Sequence, residues 1–195
     1  MNTQKKKQPF GLCNDKALTR SLGDWETWLK KLRYEGKPWF QSNIGGVRAH
    51  FADFQDKLGR HFQIEEGVLF PFFQRHVPRT EAAVNLFLSE HREMMALLHT
   101  VMGVVRLLEV SPPLSCPGQE SVRLSEMGVY LSGFVRHHLA AENAIFKQAW
   151  SELRACEKKA LKNLVAGKAA GTQGPPSRIR KISGKKTAGK RGWVS

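Results

Sequence analysis

From residue 15 onward the apolar residues recur every three or four positions instead of alternating, the spacing of helices that bury one face. Leu18, Leu22, Trp25, Trp28, Leu29 and Leu32 predict a first helix over residues 15–33. Val47, Phe51, Phe54, Leu58, Phe62, Val68, Leu69 and Phe72 predict a second over 41–75, with Gly45-Gly46 fraying or kinking its start. A third follows an N-cap in Pro78-Arg79-Thr80 and carries Leu86, Met94, Leu97, Leu98, Val101, Val105 and Leu108. A fourth runs over 119–165. Breakers fall at Gly36-Lys37-Pro38, at His76-Val77-Pro78 and between Ser111 and Gly118, so the chain divides into four helices of similar length. Their short connections predict an all-α, antiparallel up-and-down four-helix bundle over residues 14–167.

Charge changes this picture only at the ends. The net charge is +14, yet every acidic residue lies between Asp15 and Glu157, and residues 8–167 are close to balanced. The excess sits in Lys5, Lys6 and Lys7 and in the stretch from Lys168 to Arg191. Residues 1–13 and 168–195 therefore read as disordered basic extensions, the latter too rich in Gly, Pro and Lys to bury apolar surface. The tail is suited to contacting the phosphates of nucleic acid without sequence preference, or simply to keeping the protein in solution. Cys13, Cys116 and Cys156 are odd in number and widely spaced, which predicts a reduced, cytoplasmic protein. The chain has no apolar run long enough to span a membrane, and its basic start is not followed by an apolar leader.

Two stretches repeat each other: His61 with Glu65, and His138 with Glu142. On a helix, residues four apart differ by about 40° in direction and about 6 Å in height, so each pair can reach one metal ion. A single such pair is ordinarily a solvated hydrogen bond, so the weight rests on convergence. Counting from a turn near residue 77, His61 and Glu65 lie 16 and 12 residues before it and His91 lies 14 after. From a turn near 115, His91 lies 24 before it, and His138 and Glu142 lie 23 and 27 after. Five metal-ligating side chains from three antiparallel helices thus come to one level. Glu66 and Asn143, one residue beyond each carboxylate, are placed to orient the ligands.

Over residues 14–155 these motifs resemble the hemerythrin-like, or HHE cation-binding, domains. The resemblance is carried by His61-x-x-x-Glu65-Glu66 leading to Leu69-Phe70-Pro71, by Glu90-His91 with Met94, and by His138-x-x-x-Glu142-Asn143. It implies a non-haem iron centre, usually two irons bridged by carboxylates, held by His61, Glu65, His91, His138 and Glu142. Imidazole with carboxylate suits iron, with manganese as the alternative. The resemblance also implies a histidine on the first helix, and here Lys16 stands in its place. That substitution leaves three arrangements: a lopsided di-iron site, a single-metal site, or an ammonium pairing with Glu65 and Glu142. Asp15 and Asp24 are weaker substitutes on the same helix.

Other histidines read differently. His50 and His99 read as a polar pair away from the site, and His76 as a cation suited to a helix end. In a regular helix His137 points away from Glu142, although oxygen-carrying members of the family use a five-residue step here. No glutamate stands three residues before any histidine, which disfavours ferritin-like di-iron oxidases. No cysteine has a neighbour that would activate it as a nucleophile. The sequence reads as an iron-binding protein without enzymatic activity that senses, stores or handles iron, O2 or NO. The alternative is a metal-free degenerate bundle acting as an interaction module, its tail binding nucleic acid.

Overall fold

The computed structural model describes residues 15–111 and 118–171, all helix and short connections. The helices are α1 (Asp15–Tyr34), α2 (Phe40–Ile64), α3 (Phe70–His76), α4 (Glu81–Val110), α5 (Gln119–Glu152) and α6 (Ala155–Gly171). A π-helical turn, Glu65–Leu69, joins α2 to α3 without a break. The basic extensions, apart from Lys168 to Gly171, lie outside the described residues, as do Cys13 and Cys116. Helix α1 packs on α2 and α5, and α4 packs on the same two, giving a helical bundle.

The apolar stripes become two clusters. The larger gathers Leu18, Leu22, Trp25, Phe51, Phe54, Leu58, Met94, Leu98, Leu131 and Val135 from α1, α2, α4 and α5. The smaller gathers Leu69, Phe70, Phe73, Phe87, Phe146, Leu161 and Val165 at the other end. Trp25 is fully buried against Phe51 and Phe54, and so belongs to the core. Trp28 lies instead on His50, with ring centres 5.6 Å apart. A Cβ on Gly46 would stand 2.2 Å from the Trp28 ring, so the glycine expected to fray α2 is the seat that lets α1 approach it.

Three boundaries differ from the sequence expectation. Residues 40–76 do form one run, but it widens at Glu65–Leu69, where Phe70 N–H bonds the Glu65 carbonyl five residues back. Pro71 explains the widening: it has no N–H for the Gly67 carbonyl, and its ring would strike that carbonyl in a regular α-helix. The expected fourth helix is two helices. Leu153 is extended (ψ 140°), and the chain turns so that α6 packs back on the π-turn and α2. Glu157 starts α6 by accepting a hydrogen bond from Arg154 N–H at 2.8 Å, half of a capping box. Finally, α6 continues through Lys168 to Gly171, residues assigned to the tail by composition. Thr80 does precede α4, but its hydroxyl donates to the Val77 carbonyl at 2.8 Å and makes no cap bond.

Candidate metal centre

Between the two apolar clusters lies a single polar layer. His61, His91, His138, Glu65 and Glu142 are all buried there, none more than 6% exposed. All five side chains expected from the sequence therefore meet, contributed by α2, the π-turn, α4 and α5. The carboxylates divide their oxygens. Glu65 Oε1 is 3.0 Å from His61 Nε2, and its Oε2 is 3.4 Å from His91 Nε2. Glu142 Oε2 is 3.5 Å from His61 Nε2, and its Oε1 is 3.0 Å from His138 Nε2 and 3.5 Å from His91 Nε2. One donor atom each from Glu65, His91, His138 and Glu142 lies within 4.8 Å of every other.

Two imidazoles are oriented from behind. His91 Nδ1 is 2.7 Å from Glu66 Oε1, and His138 Nδ1 is 2.6 Å from Glu90 Oε2. Each carboxylate takes an N–H, which makes Nε2 the lone-pair nitrogen of the neutral ring. Those two Nε2 atoms face each other at 3.0 Å. At that distance the two nitrogens must either share a proton, as a protonated His91 allows, or face a common cation. The buried oxygens Glu65 Oε2 and Glu142 Oε1 also have no hydrogen bond of good geometry, an arrangement that costs free energy unless positive charge compensates it. Both features fit the cluster to a metal ion.

The electrostatics agree. Burial works against a charge on His91, but hydrogen bonds to Glu142, Glu65 and Glu66 outweigh it and raise its pKa to about 9. Burial likewise pushes the Glu142 carboxyl up, while hydrogen bonds from His138, His61 and His91 hold it well below the usual range. Without a metal the cluster would retain a proton on His91, which a metal ion must displace. Aromatic rings close the surroundings. Phe62 stacks on His91 at 3.7 Å, Phe70 lies 5.5 Å away on the same ring, and Phe87 meets His138 edge-on at 5.4 Å.

Other expected residues fall elsewhere. Lys16 is exposed, so its ammonium is not buried with Glu65 and Glu142, and Asp24 is exposed too. The side chain of Asp15 lies outside the described residues. His137 is exposed, leaving His138 as the inward residue of the pair. His99 is exposed, and His50 stacks on Trp28. His76 bonds Glu157 at 3.2 Å and so ties α3 to α6. Asn143 bonds its own helix at the Leu139 carbonyl instead of orienting a ligand. The orienting role of Glu90 was not drawn from the sequence, although it adjoins His91 just as Glu66 adjoins Glu65.

A profile of the hemerythrin HHE cation-binding domain matches residues 16–150, a span that holds every member of this layer. This chain belongs to that family. No curated protein and no solved structure matches it. Among the described residues no helix is long and apolar enough to cross a membrane.

Proposed function

We propose that this protein binds non-haem iron in the polar layer and senses, stores or handles iron, O2 or NO, without being an enzyme. The observation that carries the reading is the pair of Nε2 atoms facing each other at 3.0 Å, each fixed in that role by a carboxylate on the opposite nitrogen. His61, His91 and His138 supply nitrogen, while Glu65 and Glu142 each supply two oxygens. This donor set suits iron, with manganese as the alternative. When bound, iron would supply a redox-active centre able to take a small diatomic ligand. The chain's own part is to hold the donors rigid and dry: Glu66 and Glu90 fix the rings, and Phe62, Phe70 and Phe87 exclude water.

We also infer an antiparallel up-and-down course for the four long helices. Cross-links between neighbours support it: Asn43 donates to Glu35 at 2.9 Å beside the first turn, while Ser21 donates to Asp53 farther away from it. The exposed free thiol of Cys156 suits a reducing, cytoplasmic compartment. The test is iron content per chain after mild purification or anaerobic Fe(II) loading, compared with a Glu65→Ala, Glu142→Ala double variant. One or two irons in the parent and almost none in the variant is the expected result. Absence of iron and manganese from the loaded parent would overturn the proposal and leave a bundle kept for binding partners.

A further inference from the structure

We propose that the outer groove between α1 and α5 binds a small amphipathic carboxylate, one acid group on an unbranched apolar body of about eight to ten carbons. The site lies outside the metal layer and does not depend on it.

Glycine sets the depth of the groove. A Cβ on Gly128 would strike the Leu29 side chain, so α1 and α5 meet closely there and buried Leu29 forms a floor. Beside that contact lies a cavity of about 440 Å³, within the range of roughly 300–1,000 Å³ that small-molecule sites occupy. Its α1 wall runs from Glu26 to Tyr34. Those eight helical steps cover about 12 Å, the reach of an extended chain of about eight to ten carbons with its acid group.

The two ends differ in chemistry. Glu26, Lys30, Ser132 and Arg136 line one of them. Arg136 closes on Glu26 with both terminal nitrogens, Nη2 donating to Oε2 at 2.8 Å. That hydrogen bonding, against burial, holds the Glu26 carboxyl below its usual range. The pair is balanced, and Lys30 adds one positive charge in excess. Ser132 is 2% exposed, and its hydroxyl makes no hydrogen bond of good geometry, although it lies near the Glu26 oxygens that Arg136 already takes. A buried hydroxyl in that state costs free energy until an outside oxygen accepts its proton. Towards the other end stand Val129, 72% exposed, and the ring of Tyr34, 74% exposed, with the Arg33 guanidinium 5.5 Å over the ring. A chain laid along Leu29 would cover both apolar groups.

The orientation follows. The carboxylate accepts from Ser132 and faces Lys30, and the chain runs over Leu29 and Val129 towards Tyr34. One excess charge suits one carboxylate, and an apolar floor suits an apolar body better than it suits a nucleic acid.

The probe is sodium octanoate, titrated by calorimetry into the full-length protein, with 1-octanol as its uncharged counterpart. One octanoate per chain is expected, with octanol at least about tenfold weaker. A Cβ at Gly133, which lines the cavity, meets nothing within 4 Å. Gly133→Leu therefore fills the groove without a clash and should abolish binding, while Gly103→Leu, equally open on α4, should leave it unchanged. Ser132→Ala should weaken octanoate roughly tenfold, and Lys30→Glu roughly fivefold. Thermal melts show that each variant has folded. Equal affinity for octanol and octanoate would overturn the inference, as would no binding of octanoate up to about millimolar concentration. So would a folded Gly133→Leu or Ser132→Ala variant that binds as the parent does, or a Gly103→Leu variant that loses binding equally.

Discussion

His91 shows how much of the site's behaviour is set by groups that touch the ligands from behind. Its Nδ1 partner Glu66 is half exposed, with 46% of its side chain accessible, and so can be removed without opening a cavity. Carboxylates in that position typically contribute a factor of about 10 to 100 in metal affinity. Glu66→Ala and Glu90→Ala should each weaken binding of the first metal by roughly that factor while the melting temperature of the metal-free protein changes little. Equilibrium dialysis beside a thermal melt separates the two effects. His91 also gives the metal-free protein a pH dependence. Its pKa is raised from 6.5 to about 9 on folding, so its stabilising contribution is complete below about pH 6.5 and is lost as the pH rises through 9. Chelator-treated protein should therefore lose stability to urea between those values, and His91→Gln should flatten that slope.

At the scale of elements, the π-turn and α6 are the features that depart from a plain bundle, and they pack against each other. Pro71→Ala would restore an N–H for the Gly67 carbonyl and permit a regular α-helix through Glu65 and Glu66. Metal affinity should fall roughly tenfold while the melting temperature holds or rises, since an interior proline is itself costly to a helix. Loss of stability without loss of affinity would show the turn to be structural only. Helix α6 is held by Leu161 and Val165 in the smaller cluster and by His76 bonding Glu157, while just before it Arg79 pairs with Glu152 at the end of α5. Exposed ion pairs contribute little, so the apolar contacts dominate. Leu161→Ala should cost about 2–4 kcal/mol in a urea melt, against well under about 1 kcal/mol for Arg79→Ala.

The whole molecule was legible in sequence where a rule of spacing governs it. Helical periodicity located the long helices, and the equal counts from two turns placed His61, His91 and His138 at one level. The break at Leu153 escaped because the apolar spacing continues through it: Leu161 and Val165 would serve equally well on a straight α5. The capping signal from Glu157 was the readable mark. The π-turn escaped because periodicity tolerates one extra residue per turn, although a proline four residues after a glycine in an apolar helix points to it. Lys16 was read as standing where the first-helix histidine of the family would be because its place in the motif was visible, whereas its exposure depends on how α1 rolls against α2. The pairing of His138 with Glu90 joins two helices, and no spacing within either one reports it.

A layer of ionisable groups that separates the two apolar clusters also bears on how the molecule comes apart. Proteins open in cooperative units, and a boundary where apolar contact is interrupted is where two units can part. On one side stand α1 and the adjoining lengths of α2, α4 and α5; on the other stand α3, α6 and the remaining ends of α4 and α5. Without metal, amides of α3 and α6 should exchange with deuterium together and earlier than those of α1 and the first half of α2. A cation bound by donors from α2, the π-turn, α4 and α5 would fasten the units, so that loading merges the two exchange classes into one. The bound ion would then act on the protein's motions as a rivet does on two plates, and its release would be felt well beyond the atoms that hold it.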